Sequence, residues 1–86
     1  MQLMELAEKL KAIRIREGMT QAELCEATGI SLSSYKKYEL ALRLEVSSVA
    51  LLKITGHTRF KKYVLWLMTG DTAPDCGQIS PLEQQK

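Results

Sequence analysis

Glycine placement constrains this chain more than any other feature. Gly18, Gly29, Gly56 and Gly70 each follow a stretch of helical character, and no asparagine occurs to share their work. A glycine just past a helix end supplies the left-handed residue that closes the last turn. Nothing alternates apolar and polar with period two, and no Asn-Gly or Asp-Gly marks a hairpin. The expected fold class is therefore all-α, five short helices followed by a tail.

Apolar spacing places those helices. Leu3, Leu6, Ala7, Leu10 and Ile13 recur at intervals of three and four, which predicts a first helix from about Leu3 to Glu17. Thr20-Gln21-Ala22-Glu23 is a capping box and starts the second, which ends at Thr28. Ser31 caps a third, running to about Leu40. The fourth starts near Ser48 and carries Val49, Leu51, Leu52 and Ile54 to Gly56. Thr58 is expected to cap a fifth, Arg59 to Thr69, on which Phe60, Tyr63, Val64, Leu67 and Met68 share a face. Both prolines, Pro74 and Pro81, fall in the last stretch. Residues 1–70 thus read as the folded domain and 71–86 as an irregular tail, whose Ile79 and Leu82 are candidates to dock on the body or on a neighbouring subunit.

The chain has 86 residues, 45% of them apolar and 26% charged. That suits one domain and excludes barrels and doubly wound sheets. No apolar run approaches the roughly 18 residues that span a bilayer. The start MQLMELAEKL lacks the basic opening and apolar stretch of a signal peptide, so a cytoplasmic location and no membrane are expected. Cys25, Cys76 and His57 are too few for a four-ligand zinc site. No His–carboxylate pair with suitable spacing and no phosphate-cradling glycine loop occurs, so no catalytic residue, metal or cofactor is expected. Residues 1–70 hold seven lysines and four arginines against seven glutamates, a net +4; Lys86 against Asp71, Asp75 and Glu83 leaves the tail at −2. A basic body permits a nucleic-acid partner.

Residues 20–39 meet the steric demands of a helix–turn–helix. Two closely crossing helices need a small residue at the fifth position of the first, and Cys25 stands there. Four residues later the turn needs a positive φ, and Gly29 supplies it. Ile30 follows as the apolar plug, with Tyr35 and Tyr38 inward on the next helix.

At these residues the sequence resembles the phage repressor/Cro (XRE-like) family of helix–turn–helix regulators. The similar stretch is LAEKLKAIRIREGMTQAELCEATGISLSSYKKYE, extending to VLWLMTGD and covering roughly residues 6–71. The Gln21 start, the Gly29 turn, the Tyr38-Glu39 pair and the Trp66-Leu67…Gly70 ending occur together. The resemblance implies a lambda-repressor-like domain of five packed helices, with the helix–turn–helix at helices 2 and 3. Helix 3 would enter the major groove of double-stranded DNA while helix 2 crosses the backbone. The family's phosphate-binding glutamine matches Gln21. The base-reading positions match Leu32, Ser33 and Lys37, with Lys36 on the same face, and Ser31 and Ser34 lie close enough to touch phosphate or base. The family's ion pair between helix 1 and the end of helix 3 matches Arg14 and Glu39.

The chemistry of these side chains agrees. Lysines donate to guanine O6/N7 or neutralise phosphate, serine pairs with either base type, and leucine methyls meet a thymine methyl. The chain departs from the family after helix 3. There a glycine and basic residues usually grip phosphate, but the sequence reads Leu40-Ala41-Leu42-Arg43-Leu44-Glu45, with Arg43 alone basic. The apolar stretch Leu40–Val46 is also a candidate surface for a protein partner. Leu65 and Trp66 fall off the main apolar face of helix 5 and are candidates for a homodimer contact. The expected function is a sequence-specific regulator, Cro-like because a chain this short has no room for the further domain of long phage repressors. It would repress from a two-fold operator as a dimer. The alternative is an antitoxin or adaptor on the same fold.

Overall fold

The capping box forms as the sequence predicts. Thr20 Oγ1 accepts the Glu23 N–H at 3.1 Å, and Glu23 Oε1 accepts the Thr20 N–H at 2.8 Å. In the computed structural model, which describes residues 5–42 and 45–82, the five helices are α1 (Leu6–Arg16), α2 (Gln21–Thr28), α3 (Leu32–Glu39), α4 (Ser48–Thr55) and α5 (Val64–Thr69). Single 3₁₀ turns cover Lys61–Tyr63 and Pro74–Cys76. Among the described residues there is no strand, only one isolated antiparallel bridge between Ala73 and Gln78. No helix among them is long and apolar enough to cross a membrane.

α1 starts later than its apolar spacing implies. Glu5 is extended, with φ −68° and ψ 153°, and its N–H goes to the Glu8 carboxylate at 3.2 Å. Leu3 lies outside the described residues. At the other end Gly18, with φ 69°, lets the Met19 N–H reach back to Arg14 O at 3.1 Å. Gly29 closes α2 in the same left-handed region, at φ 82°.

Gly56 departs from the expectation. Its φ is −85°, an ordinary right-handed value. A Cβ there would sit 2.9 Å from Leu52 O, so close approach to the α4 backbone favours glycine, without any left-handed turn. The end of α3 is the converse case. Ala41 takes φ 60° while its N–H donates to Tyr38 O and the Leu42 N–H to Lys37 O, at 3.2 and 3.0 Å. That is a Schellman ending with alanine where glycine is usual.

The fifth helix differs most. His57 does the capping in place of Thr58: its Nδ1 accepts the Arg59 N–H at 3.1 Å, and its carbonyl accepts from Phe60 and Lys61. The chain then makes a 3₁₀ turn before α5, because the tail intervenes. Gln78 Oε1 accepts the Leu65 N–H and Gln78 Nε2 donates to Lys61 O, each at 3.0 Å. One side-chain amide thus bridges the two groups that a continuous helix would pair directly. The Ile79 N–H donates to Lys62 O at 2.8 Å, Ile79 packs on the core, and Ser80 and Pro81 are buried.

The core gathers one face of each helix: Leu10 and Ile13, Leu24 and Cys25, Tyr35 and Tyr38, Ile54, and Trp66 and Leu67. Side chains of this size each contribute about 1.5–3 kcal/mol when fully buried. Lys9 ties α1 to the end of α5, donating to Trp66 O and Leu67 O at 3.2 and 3.3 Å with its ammonium over the Trp66 ring. The negative end of the α5 dipole favours such a cation.

Candidate nucleic-acid interface

α3 is held from behind and bare in front. Tyr35 and Tyr38 anchor it in the core, and Ser31 Oγ caps it by accepting the Ser34 N–H at 3.3 Å. Ser33, Lys36 and Lys37 are exposed, as a spacing of three and four places them on one outward face. Leu32, 37% exposed, sits at the start of that face, beside exposed Ser31 and half-buried Ser34. Among the described residues no carboxylate pairs with either lysine. The face carries two positive charges, the exposed Ser33 hydroxyl and one apolar contact.

The end of α3 is fastened to α1 and α2 through Glu39. Arg14 grips its carboxylate twice, Nε to Oε2 at 2.8 Å and Nη2 to Oε1 at 3.1 Å. Arg14 Nη1 also donates to Met19 O at 2.9 Å. Gln21 Nε2 donates to Glu39 Oε1 at 3.1 Å, so half-buried Gln21 belongs to this network. Burial works against an ionised Glu39, but the Arg14, Tyr35 and Gln21 side chains outweigh it and hold the carboxyl below the usual carboxylate range. Burial, reinforced by Glu39, pushes the Tyr35 hydroxyl well above the usual phenol range.

Glu17 organises a second network behind the site. It accepts from Arg59 Nε and Lys62 Nζ, both at 3.0 Å, and from the Tyr63 hydroxyl. Desolvation opposes its charge, yet Tyr63, Lys62 and Arg59 together lower its pKa. These contacts spend Arg59 and Lys62 on the fold.

Lys53 is the site residue that sequence reasoning missed. It lies on α4, yet its ammonium donates to Gly29 O at 3.3 Å, and it shares a groove with Ser31, Ser34 and Ser47. Nothing local marks it; only the packing of α4 against the turn brings this cation beside the start of α3. Arg43 lies outside the described residues. Leu40 and Leu42 flank Ala41 at 66% and 73% exposure, while Val46 packs against the core. Trp66 is 6% exposed and part of the core, and Leu65 is half-buried under Gln78. Among the described residues, no group of three His, Cys, Asp or Glu is placed to hold a metal.

A five-helix domain that presents the second helix of a helix–turn–helix in this way is the architecture of a DNA-binding transcriptional regulator. Sequence comparison places it within that class. Residues 10–55 match the helix-turn-helix family profile, and the chain belongs to that family, of the XRE-like kind. It is similar to Repressor protein C of Escherichia phage P2, with 32% identity over 76 residues, which is 88% of this chain and 76% of that one.

Proposed function

We propose that this protein is a sequence-specific repressor of phage or bacterial type that acts as a dimer on a two-fold operator. The observation that carries the reading is the outward face of α3, where Ser33, Lys36 and Lys37 are exposed and, among the described residues, no carboxylate pairs with either lysine, while Tyr35 and Tyr38 fix the helix behind them. Leu32, Ser33, Lys36 and Lys37 read base edges. Gln21, Ser31, Ser34 and Arg43 contact phosphate or flanking groups, and Lys53 joins them. Similarity to a phage repressor supports repression, most simply by occluding a promoter. Two copies would place their α3 helices in half-sites about 34 Å apart, one turn of duplex. Of the two residues proposed for the dimer contact, Leu65 keeps surface to offer while Trp66 is largely spent on the core.

Selection of bound duplexes from a random pool, at varied salt, tests this. Recovery of one motif repeated with two-fold symmetry supports dimeric readout. A pool with no enriched motif removes the sequence-specific reading.

A second reading is favoured by one observation: Leu40 and Leu42 are large, apolar and exposed side by side with Ala41. On this reading the protein is an adaptor or antitoxin that holds a protein partner at Leu40–Val46. The two activities are compatible. A stoichiometric partner recovered by the natural-sequence protein but lost by a Leu40→Ser, Leu42→Ser variant supports it.

A further inference from the structure

The network around Glu39 carries an inference that deepens the DNA-binding reading and rests on it. Glu39 closes α3 with its side chain only 4% exposed. Arg14 fixes that carboxylate in place through two hydrogen bonds, and Tyr35 lies against it. The Glu39 Oε1 that accepts from Arg14 Nη2 also accepts from Gln21 Nε2. Gln21 is the first residue of α2, beside the positive end of that helix.

A glutamine amide is two-faced, with an oxygen on one side and an NH2 on the other. An ionised carboxylate only accepts, so it decides which side meets it. Turning the amide over would set Gln21 Oε1 against Glu39 Oε1 with no hydrogen between them. The observed arrangement spends one amide hydrogen on Glu39 and holds the second in a fixed plane. A glutamine without such a partner keeps several rotamers, and binding has to order it.

We propose that Glu39 is the positioning residue for the phosphate contact of Gln21. The buried carboxylate selects the amide orientation in which Gln21 offers its second hydrogen to a DNA phosphate, so the α2 contact is set before DNA arrives. Arg14 acts one step behind, by holding Glu39. The pair is therefore part of the binding site as well as a brace between α1 and α3.

A double-mutant cycle separates the two roles, because residues acting through one contact are non-additive. Glu39→Asp keeps the charge that Arg14 needs but draws the carboxylate back from Gln21. Affinity for the selected duplex is measured for the natural protein, Gln21→Ala, Glu39→Asp and the double variant, below the melting temperature of each. The expected result is a three- to tenfold loss for Glu39→Asp when Gln21 is present, shrinking to under twofold in the Gln21→Ala background. Ethylation interference at the phosphate facing Gln21 fades in Glu39→Asp while the preferred sequence is unchanged. An equal loss in both backgrounds makes Glu39 a brace only and overturns the proposal, with DNA binding untouched. No loss for Gln21→Ala removes the phosphate contact, and the proposal with it. A natural protein that binds no duplex removes the functional reading itself. Should Glu39→Asp not fold, ¹⁵N relaxation of Gln21 Nε2 in the DNA-free natural protein decides. An order parameter near the rigid backbone value of about 0.85 is expected, and one under about 0.6 overturns the proposal.

Discussion

Gln78 repairs the helix that it interrupts: its side-chain amide accepts the Leu65 N–H and donates to Lys61 O, each at 3.0 Å. Residues 71–82 are thereby hydrogen-bonded into the body ahead of α5, and Ile79 follows into the core. Gln78→Ala leaves the Leu65 N–H without its acceptor, while Lys61 O keeps the Val64 N–H. It is expected to cost about 1–2 kcal/mol, seen as a fall in Tm of roughly 5–10 °C for a domain of this size. An unchanged melting curve would mean that this bridge contributes nothing.

Ala41 offers a gain. Its left-handed φ of 60° costs a residue with a Cβ roughly 1–2 kcal/mol relative to glycine. Glycine gives back about 0.4–1 kcal/mol through the greater freedom of the unfolded chain. Ala41→Gly is expected to raise the unfolding free energy by a net of about 0.5–1 kcal/mol, seen as a higher urea midpoint with the slope of the transition unchanged. A lower midpoint would contradict the strain at this turn.

Acid tests the two buried glutamates. The folded protein holds both Glu17 and Glu39 below their ordinary value of 4.5, so the unfolded chain binds more protons. Their contribution is full above that ordinary value and is lost as pH falls through the lower, folded-state values. Stability is therefore expected to drop below about pH 5. The drop is shallower in Glu17→Gln, which is already less stable at neutral pH. Parallel acid limbs for the variant and the natural protein would contradict the assignment.

Much of this was readable in the residues, and the unreadable part has a common cause. Thr20 with Glu23, Ser31, and the Gly18 and Gly29 stops act within a few positions of themselves, so their geometry follows from local chemistry. Inward Tyr35 and Tyr38 follow from helical spacing. Gln78 acts on Leu65, Lys53 on Gly29 and Glu39 on Gln21, and each pair is joined only by the packing of separate helices or the tail. The start of the fifth helix was obscured differently: Thr58 and His57 are adjacent potential caps, and the imidazole takes the Arg59 N–H. Gly56 shows that a glycine after a helix has two separate reasons to be there, conformation or clearance.

Lys53 distinguishes grip from readout. If its ammonium leaves Gly29 O for a phosphate, Lys53→Ala weakens binding to all duplexes alike. The slope of log affinity against log salt then becomes shallower by about 0.9, one released counterion. An unaltered slope would place Lys53 in the fold alone.

The central claim is that the outward face of α3 discriminates among sequences. The most direct measurement is the ratio of affinities for the selected duplex and a scrambled one, at fixed salt, for the natural protein and for a Ser33→Ala, Lys37→Ala variant. A bidentate contact to a base discriminates by about 1–3 kcal/mol. The account predicts a ratio that falls at least tenfold in the variant, with binding to the scrambled duplex reduced far less. Equal losses on both duplexes, leaving the ratio where it was, would reduce α3 to a phosphate contact and contradict the account.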